Sequence, residues 1–110
     1  PARDTLPPSL PVIWSELAQS RVQEIGDYIT EQSPQNALAM VQRLESAVQP
    51  LRRFPQLFRI SERFPGTREI PVPPYVILYK VSDQAITILT VVHGRRKFPG
   101  PDHPQGVSQG

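Results

Sequence analysis

Apolar and polar residues change their spacing twice along this chain, and the changes predict its elements. Val12-Ile13-Trp14 is a short apolar run suited to a first strand. From Leu17 the spacing becomes helical, because Leu17, Ala18, Val22, Ile25, Tyr28 and Ile29 fall within one arc of a wheel. Ser15 is placed to cap this helix, with Glu16 in the first turn, where the helix dipole favours an anion. Ser33-Pro34 marks the next boundary, since serine caps and proline suits the first helical position. Ala37, Met40, Val41, Leu44, Ala47, Val48 and Leu51 then share one face, while Gln35, Gln42, Arg43 and Glu45 point away. Pro50 does not suit a helix interior, so this second helix is expected to end near Gln49.

Beyond it the pattern turns to that of strands. Phe54-Pro55 and Phe64-Pro65-Gly66 punctuate a loop-rich stretch, with a strand predicted at residues 57–63. Residues 67–72 predict another, restricted by Pro71, Pro73 and Pro74 to short or edge pairing. Residues 75–81 and 85–93 are dense in β-branched and aromatic side chains, and Ser82-Asp83-Gln84 joins them as a hairpin. Both runs are apolar on both alternating sets, which places them at the centre of a sheet. The predicted fold is α+β in the order β-α-α-β-β-β, a two-helix hairpin packed on a small, mainly antiparallel sheet.

A length of 110 residues allows one such domain and no second. The domain is expected to span residues 12–99. Residues 1–11 and 100–110 are rich in proline or glycine and poor in apolar side chains, so both are expected to be flexible tails. With no cysteine and two histidines, neither a disulfide nor a structural zinc site is available, and no metal or cofactor is expected. No apolar stretch reaches membrane-spanning length and no signal-peptide pattern opens the chain, so a cytoplasmic location is expected.

Charge adds an asymmetry. Residues 1–49 hold three basic and six acidic side chains, whereas residues 50–100 hold nine basic and three acidic. The positive half coincides with the predicted strands, and directly after the last strand comes Gly94-Arg95-Arg96-Lys97. A hairpin that delivers three cations at a sheet end suits an anionic partner; a solvated chain end is the plain alternative. Arg52-Arg53 can be accounted for by the dipole of the preceding helix. Tyr75, Tyr79, Trp14 and Met40 read as packing residues. No phosphate-binding glycine loop, Gly-x-Ser-x-Gly, metal-ligand spacing or thiol nucleophile is present.

Several of these segments, taken in order, resemble the ParE/RelE superfamily of bacterial toxins. They are Val-x-Trp-Ser at 12–15, Asp27-Tyr28-Ile29, Leu51-x-x-x-Pro55, Arg68-Glu69-Ile70, Tyr75-x-Ile77-x-Tyr79-x-Val81 and Ile88-Leu89-x-Val91-x-His93-Gly94-Arg95-Arg96. The resemblance implies the toxin of a type II toxin–antitoxin module, neutralised by a cognate antitoxin that also carries any promoter-DNA binding. It offers two targets: ParE-like members poison DNA gyrase, whereas RelE-like members cleave mRNA on the ribosome. Cleavage through a 2′-hydroxyl needs a base, an acid and cations around the phosphorane. In this chain the nuclease set would reduce to Arg68, His93, Arg95 and Arg96, with Val76 where that branch often has arginine and no tyrosine after Lys97. An arginine is a poor base, and His93 lies by alternation with Leu89 and Val91. The ParE-like branch is therefore expected, with Arg68, Arg95, Arg96 and Lys97 as target-binding residues and none catalytic. Arg68 could equally pair with Glu69 or Glu62. A degenerate toxin that retains only antitoxin binding fits the same residues.

Overall fold

In a computed structural model that describes residues 9–94, a helical hairpin lies across one face of a four-stranded sheet. The elements are β1 (Val12–Trp14), α1 (Glu16–Thr30), α2 (Pro34–Ala47), a 3-10 turn (Gln49–Arg52), β2 (Arg68–Val72), β3 (Tyr75–Val81) and β4 (Ile86–His93). The order across the sheet is β1-β4-β3-β2, with β1 parallel to β4 and the other pairs antiparallel. The α+β order β-α-α-β-β-β is as the sequence predicts. So are the central positions of β3 and β4 and the edge position of the proline-restricted β2.

Both helices start where their serines allow. The Ser15 hydroxyl accepts from the Ala18 N–H at 3.0 Å, and the Ser33 hydroxyl accepts from the Asn36 N–H at 3.2 Å, with Pro34 in the first helical turn. α1 buries a narrower stripe than its wheel suggests. Ala18, Val22 and Ile25 join the core, but Leu17 and Tyr28 are 50% and 62% exposed. Those two flank the 18-22-25-29 line that meets the sheet, and a three-turn contact with a flat surface covers only the centre of the arc. α2 buries the predicted face through Ala37, Leu44 and Val48, and Leu51 continues it from the 3-10 turn into which Pro50 converts the helix end.

Cross-strand partners share a face, so the register assigns every strand residue to one side of the sheet. Ile70, Val72, Tyr75, Ile77, Tyr79, Ile86, Ile88 and Val91 point under the helices and form the core with Leu44, Val48 and Leu51. On the opposite face lie Glu69, Pro71, Val76, Leu78, Lys80, Thr87, Thr90 and Val92. Between Ile88 and Thr90 the pairing slips by one, because Tyr79 faces Ile88 while Leu78 faces Thr90, leaving Leu89 as a bulge. The Leu89 carbonyl accepts from the Ser15 hydroxyl at 2.8 Å, and the Ser15 N–H donates to Ile88 O at 2.9 Å. One serine thus caps α1 and pins the bulge.

The strand predicted at 57–63 does not form; the segment makes a single bridge, between Ile60 and Arg68. Its backbone is held by side chains instead. Buried Ser61 accepts from the N–H groups of Arg63 and Phe64 and donates to Glu69 Oε2 at 2.7 Å, which turns the chain away from a ladder. Phe64-Pro65-Gly66-Thr67 closes with Thr67 N–H donating to Phe64 O, and Gly66 takes the positive φ (82°) that such a turn needs. Ser82 to Ala85 connects β3 to β4, and a cis Pro73–Pro74 peptide connects β2 to β3. No helix among the described residues is long and apolar enough to cross a membrane.

Candidate target-binding surface

Of the residues singled out by the sequence, Arg68 and His93 are described, while Arg95, Arg96 and Lys97 lie outside the described residues. Arg68 opens β2 and pairs in register with Tyr79, so its side chain enters on the helix side of the sheet. There Nη1 donates to the Phe58 carbonyl at 2.7 Å, and the residue is half-buried. It makes this bond in place of the alternative pairing with Glu69 or Glu62. Glu69, on the other face, accepts from Ser61 and lies 3.8 Å from Arg59. The anchor beside Arg68 is Tyr79, fully buried, whose hydroxyl donates to Pro55 O at 2.9 Å. Burial raises its ionisation above the ordinary phenol value of about 10, against smaller downward pulls from the Phe58 backbone and the Arg68 charge.

His93 closes β4 opposite Tyr75, and the two rings meet edge to face with centroids 5.5 Å apart. It shares its face with Val91 as alternation predicts, but not in step with Leu89, which the bulge removes from the series. Alternation assumes an unbroken ladder, and nothing in Ile88-Leu89-Thr90 announces the extra residue. Arg68 and His93 are not brought together. They sit two strands apart, at levels of β3 four residues apart, or about 13 Å along the strand. Across the face of the sheet away from the helices, β3 contributes one cation, Lys80, beside apolar or hydroxyl neighbours.

Sequence reasoning gave Arg52-Arg53 to the dipole of the preceding helix and did not connect them with Arg59. Arg52, Arg53 and Arg59 are all exposed, in the segment that also exposes Phe54, Leu57 and Ile60. Its signal was the interleaving of arginine with apolar residues between Arg52 and Ile60.

A two-helix hairpin on a four-stranded sheet ordered in this way is the architecture of solved toxin chains. The chromosomal ParDE system of P. aeruginosa superposes with a TM-score of 0.68 at 25% identity, covering 77% of this chain and 96% of that one. The RelBE2 toxin–antitoxin complex of Mycobacterium tuberculosis has the same fold, with a TM-score of 0.55 at 22% identity over 77% and 98% of the two chains. In sequence, residues 12–98 match the family described as the ParE toxin of the type II toxin–antitoxin system parDE, and the chain belongs to that family. Its relatives include a putative toxin, Y4kP, of Sinorhizobium fredii, 36% identical over 78% of this chain and 90% of its own length. Toxin RelE2 of Caulobacter vibrioides is also 36% identical, over 77% of this chain and 96% of its own.

Proposed function

We propose that this toxin inhibits growth by poisoning DNA gyrase and is held in check by a cognate antitoxin, with Arg95, Arg96 and Lys97 as the target-binding cluster. The observation that carries this reading is how Arg68 and His93 are used. A nuclease would need them free to meet RNA, yet Arg68 is spent on the Phe58 carbonyl and His93 packs against Tyr75 on the helix side. Neither is set beside the other as a base and a charge-stabilising partner must be. An inhibitor that acts by binding needs no such pair. With Nη1 of Arg68 engaged by Phe58 O, this reading gives the cluster after Gly94 the larger part in target binding. A cognate antitoxin is supported by membership of the parDE family and by the toxin–antitoxin complexes that share the fold.

A ribosome-dependent mRNA endonuclease is the second reading, favoured by the 36% identity to the protein named RelE2. Purified toxin freed of antitoxin separates the two. Inhibited supercoiling with accumulation of cleaved DNA, and intact mRNA on programmed ribosomes, is the expected result. Codon-positioned mRNA cuts with normal gyrase activity would reverse the assignment, and silence in both would point to a toxin reduced to antitoxin binding or to a different target.

A further inference from the structure

Seven large apolar side chains stand exposed among the described residues, and three of them, Phe54 (62%), Leu57 (54%) and Ile60 (60%), fall within seven positions. The other four are dispersed over β1, α1 and α2. An exposed leucine alone means little, but a cluster in one segment marks a contact surface. This segment is also held in place. Phe54 N–H donates to Pro50 O at 2.9 Å and Leu57 N–H to Phe54 O at 3.0 Å. Tyr79 holds the Pro55 carbonyl, Arg68 holds that of Phe58, and the Glu69 N–H holds that of Arg59. A buried tyrosine and a half-buried arginine fix a backbone that packs Phe58 against the core yet leaves Phe54, Leu57 and Ile60 in water. Folding alone does not account for that arrangement; a preformed binding surface does.

We propose that residues 52–60 form a docking surface for an acidic, amphipathic peptide segment of a protein partner. Charge selects the acid. Arg52, Arg53 and Arg59 are exposed in the same segment as the apolar side chains, and the segment holds no carboxylate of its own. Glu69, at 3.8 Å, offsets Arg59 only loosely, since the arginine side chain remains 81% exposed. Guanidinium groups suit carboxylates because they bind them two bonds at a time. A hollow of about 360 Å³ bordered by Arg52, Arg53, Phe54 and Gln49 gives such a carboxylate a seat. The apolar groups select peptide over nucleic acid: two of the three are aliphatic, and unpaired bases are held by stacking on aromatic rings. This surface is separate in sequence from the cluster after Gly94 and does not depend on which target that cluster meets.

The test uses the full chain and a fluorescein-labelled synthetic helix of about four turns, with leucine on one face and glutamate elsewhere. Two double variants are compared with it, Phe54→Ser/Leu57→Ser and Arg52→Glu/Arg53→Glu; all four side chains are exposed, and thermal melts verify that both variants fold. The expected result is saturable binding by anisotropy that weakens about tenfold or more in each double variant, and equally when lysine replaces glutamate in the peptide. Equal binding by all three proteins, or no binding, would overturn the proposal. Tighter, loop-dependent binding of a DNA duplex would replace it with a nucleic-acid surface. Self-association of the unmodified chain in sedimentation, lost in the serine variant, would replace it with a contact between copies.

Discussion

Replacing Ser15 by alanine removes two bonds that differ in kind. The first is the cap to the Ala18 N–H at 3.0 Å, worth about 1 kcal/mol at a helix start. The second is the hydroxyl donated at 2.8 Å to the half-buried Leu89 carbonyl at the bulge, worth about another 1 kcal/mol. Ser15→Ala should therefore cost about 2 kcal/mol, or a fall in melting temperature of about 10 °C for a domain of this size. Ser33→Ala supplies the internal reference. It deletes a cap of the same type, slightly longer at 3.2 Å, and should cost about half as much. Ser15→Asp is the sharper control, because aspartate caps as well as serine but has no hydrogen to give Leu89. It should recover the capping half alone. Urea unfolding of the four proteins, with slopes that agree, gives the comparison. If Ser15→Ala and Ser33→Ala are destabilised alike, or Ser15→Asp is as stable as the parent, the bond to the bulge contributes nothing and the argument fails.

Substitutions at Tyr79, Gly66 and the Arg95-Arg96 pair carry further expected outcomes. Tyr79→Phe strands the Pro55 carbonyl and should cost about 1–2 kcal/mol by chemical denaturation. Because burial raises the Tyr79 ionisation, its share of stability is whole below pH ~10 and is lost as pH climbs through the raised value; the parent should lose stability more steeply than Tyr79→Phe across that range, and parallel curves would contradict the sign. Gly66→Ala meets no neighbour within 4 Å, so its cost of about 1–2 kcal/mol should come from the positive φ alone, and Gly66→Asn should be milder in the same melt. Arg95→Ala with Arg96→Ala should abolish growth inhibition while leaving antitoxin capture in a pull-down intact; surviving toxicity would remove the cluster from the target surface.

The elements were legible where one residue carried one local rule. Ser15, Ser33-Pro34 and Pro50 marked helix ends through chemistry that acts within four residues, and the prolines of β2 foretold an edge. What escaped depended on distant partners. Leu57, Phe58 and Ile60 suggest a strand, but Ser61, Arg68 and Tyr79 claim the backbone, and no local pattern reveals those claims. The candidate site was less legible for the same reason. Arg68 looks like a free cation until the register turns it toward Phe58, and His93 looks uncommitted until Tyr75 is set opposite.

The parallel pairing of β1 with β4 has a consequence for synthesis. Trp14 waits for Ile88, and Ser15 waits for Leu89, 74 residues later. At about 5–20 residues per second, the ribosome leaves the first strand without its neighbour for about 4–15 s. Until then α1 can coil and cap, but it has no sheet to lie on. A message cut short before β4 yields a chain in which β1 has no strand beside it and Ile86, Ile88 and Val91 are missing from the core face. For a member of a toxin family, the order of the strands is a safeguard of its own: β1, the first strand made, is completed only by β4, the last.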